Sequence, residues 1–292
     1  MVYLKTDLNK MKISKSYIAK HIVYIIAIAT LLLFCMIYPF LPGEYDPLAM
    51  SLSIIIQLLG VVGLPLSIAG LLWLLIPKRR FIIASISIYV GTFVMLILSF
   101  FGILSAGKVF GTIMITVWIF IFIYLKKKLK QLKSTDQSNL NAVPLNMICL
   151  PVLILIFQLV LIKPVTQWSR NRAITNADEL IDHLENFHKN YGRYPLTLQA
   201  MYKDYFPEIT AIEKYYYLPD GDSYNISFEQ PRFLLDNFGT REWVVYNPRD
   251  EHSVYSHTSW FLLLSPEELE HSQGWYASGD LGQAHWRYFL FD

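Results

Sequence analysis

The segment "TNADELIDHLENFHKNYGRYP", residues 175–195, decides how the second half of the chain folds. Its apolar residues recur at spacings of three and four, the period that places side chains on one face of an α-helix. Gly192 predicts the end of this helix, because glycine readily adopts the left-handed conformation of a helix C-cap. Asn176 and Glu179 have the spacing of a capping box, so we expect the helix to begin at Asn176. The apolar face comprises Ala173, Ala177, Leu180, Leu184, Phe187 and Tyr191.

An antiparallel sheet is predicted after this helix. In "SYNISF", residues 223–228, Tyr224, Ile226 and Phe228 alternate with polar residues, and the preceding "PDGD" predicts a hairpin turn. The segments "KYYYL", "REWVVY", "SVYSHTSWFLLL" and "WRYFLF" predict further strands. A helix followed by strands predicts an α+β domain, and we expect the helix to pack on this sheet. A coiled coil is the alternative, but two and a half heptads are too few to favour it.

Two short helices complete this domain. "LTLQAM" predicts one helix and "SPEELE" predicts another, with Ser265 as its cap and Pro266 in its first turn. Thr197 is placed to cap the first of them. We expect three apolar side chains to lie beneath that helix, namely Leu198, Met201 and Tyr202.

The first half of the chain is apolar and predicts membrane spans. A span needs about 20 mostly apolar residues to cross about 30 Å of hydrocarbon. The first apolar run is interpreted as an uncleaved anchor, because it is too long for a signal peptide and no small-residue cleavage pattern follows. Pro65 lies inside the second run and predicts a kink. Five spans are predicted, at Ile22–Leu41, Ala49–Ile76, Phe81–Ser105, Val109–Leu125 and Val143–Ile162.

Charge predicts the orientation. Residues 1–162 carry fourteen Lys and Arg against four Asp and Glu, whereas residues 163–292 carry eleven against nineteen. The basic residues of the first half lie in the N-terminal tail and after spans two and four, and Lys108 alone lies in the opposite short loops. Basic loops stay in the cytoplasm, so we expect the chain after span five to be outside. The predicted organisation is a cytoplasmic tail (1–21), a four-span bundle (22–125), a cytoplasmic basic loop (126–142), a fifth span (143–163) and an extracytoplasmic α+β domain (164–292).

A family resemblance rests on the junction between helix and sheet. A span that continues into an amphipathic helix, then "YGRYP", a short helix and tyrosine-rich strands resembles type IV pilins and the pseudopilins of type II secretion systems. The resemblance covers about residues 147–292, and its motif consists of Tyr191, Gly192, Arg193, Tyr194, Pro195 and Leu198. It implies a long helix that starts in the membrane and lies against a small antiparallel sheet. Neither the basic leader, the peptidase site nor the glutamate of pilins precedes "MICLPVLILIF", so we expect a pilin-like domain on a multi-span anchor rather than a filament subunit.

No catalytic, cofactor-binding or metal-binding residues are predicted. Glu185 and His188 form one E-x-x-H pair, whereas a di-iron bundle needs two such pairs and further carboxylates. His183 lies on another helix face. The remaining histidines lack the spacing of metal ligands, and they are His252, His257, His271 and His285.

The turn "DGDSYN" leaves a calcium site open. Asp220, Asp222 and Asn225 offer oxygen ligands, and some pseudopilins bind calcium in a loop. The order of ligands in an EF-hand is absent, and Asp-Gly is a common hairpin signal, so the turn is favoured. Asn225 also begins a glycosylation sequon, Asn-Ile-Ser.

The span interiors favour a scaffold over a transporter. They contain no Asp, Glu, Lys, Arg or His, and we expect the amides of Gln57 and Gln158 to form hydrogen bonds between helices. The sequence therefore favours a non-enzymatic protein of a bacterial inner membrane, with a periplasmic pilin-like domain for protein interaction or envelope and secretion assembly. An anchored extracytoplasmic enzyme and a transporter or channel are the alternatives. Expected partners are the lipid bilayer and an envelope protein, with a homo-oligomer left open; no nucleic acid and no cofactor are expected.

Overall fold

The computed structural model describes residues 15–134, 142–236, 239–253 and 277–291. The chain forms two compact units. We call Met1–Met36 with Ser51–Leu159 the helical unit, and Ile37–Met50 with Val160–Asp292 the sheet unit. Most of the predicted strand "SVYSHTSWFLLL" and the whole of the predicted helix "SPEELE" lie outside the described residues.

Five helices carry the apolar first half of the chain. They are α1 (Lys15–Ile37), α2 (Ala49–Val62), α3 (Leu64–Leu75), α4 (Arg80–Ser134) and α5 (Ala142–Tyr191), with one-turn 3₁₀ helices at Tyr38–Phe40 and Pro77–Arg79. Within the described ranges, three stretches are helical, long and apolar enough to cross a membrane, at Ile22–Phe40, Arg80–Lys130 and Val143–Tyr191. The bent pair α2 and α3 is a fourth candidate if it forms one span. The described part of the chain therefore contains several helices long and apolar enough to span a membrane.

The predicted kink near Pro65 is confirmed. Helices α2 and α3 meet at Gly63 with a bend of 44°. Pro65 lies in the first turn of α3, where its missing N–H costs no helical hydrogen bond. The bend therefore divides the second apolar run into two short helices.

Helix α4 turns back on itself at Gly107. This glycine has φ 85° and ψ 169°, a conformation outside the helical region. Residues on either side then lie next to each other: a Cβ on Gly102 would be 3.0 Å from Met114 Sδ, and Lys126 Nζ donates to Tyr89 Oη at 2.9 Å. The two halves of α4, residues 80–106 and 108–134, are therefore antiparallel arms of one hairpin.

Small residues bring α2 and α3 close to the first part of α5. A Cβ on Gly60 would lie 2.8 Å from Ile154 Cγ2, and a Cβ on Gly70 would lie 2.7 Å from the Pro144 carbonyl oxygen. Such contacts leave no room for a side chain. Close approach at glycine is the usual way in which helices pack inside a membrane, where the hydrophobic effect does not drive them together.

Helix α5 is continuous, so the predicted helix start at Asn176 is wrong. The helix runs unbroken from Ala142 to Tyr191, and Asn176 Nδ2 donates to the Pro207 carbonyl oxygen at 2.7 Å instead of capping. The predicted end at Gly192 is confirmed. Gly192 has φ +68°, and its N–H donates to the His188 carbonyl oxygen at 2.8 Å.

The sheet has five antiparallel strands in the order β1-β2-β3-β5-β4. Four of them were predicted, whereas the short strand "ASGD" was not. The hairpin between β1 and β2 turns through Gly221 and Asp222, as "PDGD" predicts. The strands are β1 (Tyr216–Asp220), β2 (Ser223–Gln230), β3 (Arg241–Tyr246), β4 (Ala277–Asp280) and β5 (Trp286–Phe291).

The predicted packing of α5 on the sheet is confirmed. The apolar face of α5 and one face of β2 form a shared core whose side chains are excluded from solvent. The contact does not extend to the last turn of the helix, where Tyr191 is 68% exposed. The buried members of the two faces are Ala173, Ala177, Leu180 and Leu184 from α5, and Tyr224, Ile226 and Phe228 from β2.

The segment Ile37–Met50, which we call the strap, is an integral part of the sheet unit. It runs beside residues 208–211 through backbone hydrogen bonds, in which Thr210 N donates to Leu41 O at 2.9 Å and Asp46 N donates to Thr210 O at 2.8 Å. Phe40 of the strap is fully buried, and its ring stacks on Phe233 with centroids 4.7 Å apart. No pattern in the sequence assigned the strap to this unit.

The junction after α5 contains a short 3₁₀ helix, Leu198–Met201. Leu198 and Met201 pack against the core, as predicted. Tyr202 does not, because it is 98% exposed and adopts the left-handed conformation at φ 55°. Thr197 lies at the N-cap position, yet its side chain makes no capping hydrogen bond.

Candidate functional site

A cluster of tyrosines joins the end of α5 to the sheet. The carboxylate of Glu185 accepts hydrogen bonds from Tyr224 Oη at 2.9 Å and from Tyr194 Oη at 3.3 Å. The ring of His188 stacks on Tyr194, with centroids 4.3 Å apart. Glu185 and His188, the single E-x-x-H pair, are therefore both engaged with tyrosines of the helix–sheet junction.

Burial sets the protonation of these phenols. Burial first, and then the negative charge of Glu185, raises the pKa of Tyr194 to about 12. Burial also raises the pKa of Tyr215, Tyr217 and Tyr224 well above the ordinary range. A phenol that keeps its proton donates to a carboxylate, so the cluster stabilises the junction at neutral pH.

His183 has a separate partner. Its Nδ1 lies 2.5 Å from Tyr205 Oη, and the two rings meet edge to face. Tyr205 belongs to the segment between the 3₁₀ helix and β1. His183 and His188 thus contact different tyrosines, in agreement with their placement on different faces of α5.

The structure brings together two histidines that are far apart in the sequence. His285 Nδ1 lies 3.0 Å from Asp250 Oδ1, and the ring of His252 lies between the carbonyl oxygens of Asp250 and His285 at 3.1 and 3.0 Å. Asp250 and His285 both have positive φ, 62° and 66°. Both nitrogens of His252 face acceptors, so both contacts are hydrogen bonds only when the ring is protonated. This arrangement fixes the loop after β3 to the start of β5.

Metal ligation finds no further support in the described residues. No group of three or more His, Cys, Asp or Glu side chains in that part of the chain could hold a metal ion. Of the histidines considered above, His257 and His271 lie outside the described residues. The two remaining surface histidines, His252 and His285, are bound to backbone and to Asp250 as described.

Asn225 has a role inside the domain. It is 2% exposed, and its Oδ1 accepts from Asn247 Nδ2 at 3.2 Å and from Ser253 N at 3.1 Å. The sequon asparagine is therefore closed to glycosylation in the folded domain. Of the calcium ligands considered above, Asp222 lies in the exposed hairpin turn. The carboxamide oxygen of Asn225 already accepts two hydrogen bonds within the domain.

A buried ionic cluster ties α5 to β3. Glu242 is 3% exposed and lies 2.5 Å from Arg170 Nη2 of α5 and 3.5 Å from Arg232 Nε. Arg232 also pairs with Asp236 at 3.2 Å and donates to Thr240 Oγ1 at 2.6 Å. Burial raises the pKa of Glu242, and the two guanidinium groups oppose that rise. Arg232 directly precedes Phe233, the residue on which the strap stacks.

The junction after α5 concentrates exposed apolar side chains. Within residues 191–206, Tyr191 is 68% exposed, Leu196 73%, Tyr202 98% and Phe206 59%. Single exposed apolar residues are ordinary, whereas these four lie within sixteen consecutive residues. We call these four residues the junction patch.

The predicted hydrogen bond between helices is confirmed for the side-chain amide of Gln158, whereas the side-chain amide of Gln57 donates within α2. Gln158 Nε2 of α5 donates to the Gln57 carbonyl oxygen at 3.0 Å, and Gln57 Nε2 donates to Ser53 Oγ at 2.8 Å. Both glutamines are fully buried. Ser53 Oγ donates in turn to the Met36 carbonyl oxygen at 2.7 Å, so the chain of hydrogen bonds connects α1, α2 and α5.

Comparisons with known proteins give no relative. No family model, curated protein or solved structure matches the chain.

Proposed function

We propose that the protein is a non-enzymatic, five-span protein of a bacterial inner membrane. It displays the sheet unit, a pilin-like α+β domain, outside the cytoplasm, and this domain binds another protein in envelope or secretion assembly. The single observation that carries the proposal is the strap, because it relates the loop after α1 to the C-terminal domain independently of charge.

The strap constrains topology. Backbone hydrogen bonds hold it to residues 208–211, so the loop after α1 and the C-terminal domain have to fold on the same side of the bilayer. An even number of crossings must then separate them. If α2 with α3 crosses once and α5 crosses once, α4 has to cross an even number of times, and its 51 apolar-rich residues Arg80–Lys130 favour two crossings over none. The hairpin at Gly107 provides those two crossings, which supports five spans in total.

The distribution of charge supports placing the strap and the C-terminal domain on the outer side of the membrane. The N-terminal tail and the loops after spans two and four hold thirteen basic residues, and residues 163–292 have a net charge of −8. Basic loops are retained in the cytoplasm. The strap, with Glu44 and Asp46 and no Lys or Arg, fits the opposite side.

The pilin-like assignment rests on local geometry. A helix that is apolar in its first half continues without a break onto a small antiparallel sheet, and Gly192, Tyr194 and Pro195 form the junction as the resemblance implies. The junction patch supports a role in protein contact, because large exposed aromatic side chains are typical of protein interfaces.

Sidedness is tested by labelling cysteines in spheroplasts. Cys35 and Cys149 are first replaced by Ala, and single exposed cysteines are placed by Glu44→Cys, Asp222→Cys or Lys127→Cys. We expect a membrane-impermeant maleimide to label the first two variants directly and the Lys127→Cys variant only after permeabilisation. Labelling of the Lys127→Cys variant in intact spheroplasts, or protection of the Asp222→Cys variant, would refute the topology.

Protein contact is tested separately by a photo-crosslinking amino acid at Tyr202. The matched control carries the same group at Asp222, which is also exposed but lies outside the junction patch. We expect a protein adduct of defined mass from position 202 and none from position 222. Equal adducts at both positions, or none at either, would contradict a role for the junction patch.

A further inference from the structure

The helical unit contains an apolar groove of about 280 Å³ between α3, the two arms of α4 and the start of α5. Its walls include Leu66 and Trp73 from α3, Trp118 from α4 and Met147 from α5. Gly91 of α4 leaves the groove open opposite Trp118, since a Cβ there would lie 3.7 Å from the indole ring. The volume is just below that of typical ligand sites, which measure about 300–1,000 Å³.

The wall chemistry selects a hydrocarbon chain. Twelve residues line the groove, and only Ser87 and Lys128 have a polar side-chain group other than an indole N–H. Ser87 Oγ donates to the Ile83 carbonyl oxygen at 2.8 Å, which satisfies it within its own helix. Trp118 Nε1 is buried without a hydrogen-bond partner among the described residues and can satisfy one polar group, but a ligand with several polar groups along its length would lose its hydration here without gaining enough partners.

The groove has one basic end. Along the first arm of α4 it extends from Gly91 to Ala84, about 10 Å at 1.5 Å per residue. Leu125, Lys128 and Leu129 line it from the second arm at the Ala84 end. Lys128 is exposed there, within the basic run of residues 126–130.

We propose that this groove binds one acyl chain of an anionic lipid, and that the Lys128 ammonium pairs with the phosphate of the same lipid. A basic residue at the mouth of an apolar cleft between spans is the arrangement that recognises anionic headgroups. Lys128 Nζ lies 5.8 Å from the centroid of the Tyr124 ring and remains exposed, whereas Lys126 Nζ donates to Tyr89 Oη and lies over the rings of Tyr89 and Phe122. The occupant is therefore a lipid held at a defined position rather than one of the mobile lipids around the protein.

The test uses the full chain purified in detergent. Dioleoyl phosphatidylglycerol and dioleoyl phosphatidylcholine are added at equal mole fraction, and retained lipid is counted by native mass spectrometry. The two probes have the same acyl chains and differ in headgroup charge. We expect the wild-type chain to retain one phosphatidylglycerol in preference to phosphatidylcholine.

Two variants separate headgroup from chain. Lys128→Gln is expected to reduce the preference for phosphatidylglycerol about fivefold, the effect of one basic residue near a lipid surface. The matched control is Lys130→Gln, which removes an exposed charge two residues away that does not line the groove. Gly91→Leu fills the groove and is expected to abolish retention of both lipids. Gly91→Ala, whose Cβ makes only ordinary contacts, is the milder variant if the larger residue prevents folding.

Each outcome decides the proposal. Two results together support it. The Lys128→Gln variant loses the preference for phosphatidylglycerol while the Lys130→Gln control keeps it. The folded Gly91→Leu variant loses lipid retention, or the Gly91→Ala variant retains less lipid. Equal retention of the two lipids by the wild-type chain would overturn it. So would equal losses from Lys128→Gln and Lys130→Gln, or undiminished retention after the groove is filled.

Discussion

Substitution of Phe40 by Ala is expected to release the strap from the sheet unit. The Phe40 side chain has no exposed surface, and it stacks on Phe233, which is 1% exposed. Truncating a buried Phe to Ala lowers the free energy of unfolding by about 3–5 kcal/mol, because the folded state loses buried apolar surface and retains a cavity. The backbone hydrogen bonds of the strap remain, but each contributes only about 1 kcal/mol net. The lost packing therefore weakens the attachment of the strap by a large fraction.

Amide hydrogen exchange measures the weakening of the strap at the hydrogen bonds that attach it to the sheet unit. The amides of Thr210 and Ala211 donate to Leu41 and Pro39 of the strap, at 2.9 and 3.0 Å. If the strap opens locally, a loss of about 3 kcal/mol raises their exchange about a hundredfold. The measurement is exchange of a peptide covering residues 208–213, followed by mass spectrometry on the detergent-solubilised chain. Peptides from β2 and β3 show whether the whole sheet unit opens as well.

The matched control is Leu48→Ala, in the same strap. Leu48 is 49% exposed, so its truncation is expected to change stability by less than about 0.5 kcal/mol. Unchanged exchange at residues 208–213 in the Phe40→Ala variant would refute the packing of the strap on the sheet unit. An equal increase in both variants would show that Phe40 has no special role.

Three further predictions concern the ionic cluster, the tyrosine cluster and the hairpin of α4. Glu242→Gln leaves the largely buried guanidinium of Arg170 without its counter-charge, while Arg232 keeps Asp236, and it is expected to cost about 3 kcal/mol in urea unfolding. Glu229→Gln breaks the exposed pair with Arg241 and is expected to cost less than about 1 kcal/mol, so equal losses would contradict the burial of the cluster. The pKa of Tyr194 is about 12 in the folded chain and about 10 in the unfolded chain, so its contribution to stability is complete below pH 10 and is lost as the pH rises towards 12. Glu185→Gln is expected to lower the pKa of Tyr194 in an ultraviolet titration. An unchanged titration would contradict the effect of the Glu185 charge on Tyr194. Gly107→Ala places a Cβ at φ 85° and ψ 169°, a conformation that is essentially restricted to glycine, and the strain of about 1–3 kcal/mol is expected to lower the melting temperature. An unchanged melting temperature would argue against the turn.

The helix and four strands of the sheet unit were predictable because each has its own periodic pattern of apolar residues in the sequence. The face from Ala173 to Leu184 has helical spacing, and Tyr224, Ile226 and Phe228 alternate, so the core follows from which side chains share a face. Gly192 ends α5 as its conformation requires. Strand β4 was missed because "ASGD" has no apolar alternation. It is held by backbone pairing with β5, and Gly279 lies beneath the ring of Tyr288.

The strap could not be predicted, since its partners are remote in sequence. Phe40 lies at the end of an apolar run whose composition is that of a membrane span. Its ring nevertheless stacks on Phe233 of the sheet unit. The error at Asn176 has a related cause: the residues there suit a helix cap, but the chain before them is already helical. The cluster of Asp250, His252 and His285 also depends on the fold, because adjacent strands bring its members together.

The strap and the C-terminal domain are proposed to fold together outside the cytoplasm. A chain free of native cysteines, with Gly43→Cys and Thr210→Cys, tests both parts at once. A Cβ on Gly43 would lie 3.1 Å from Thr210 Oγ1, close enough for a disulfide, and disulfides form in the periplasm but not in the cytoplasm. We predict an intramolecular disulfide in cells, seen as a mobility difference between reduced and unreduced samples that the single variants lack. Two reduced thiols in the folded chain would contradict the account.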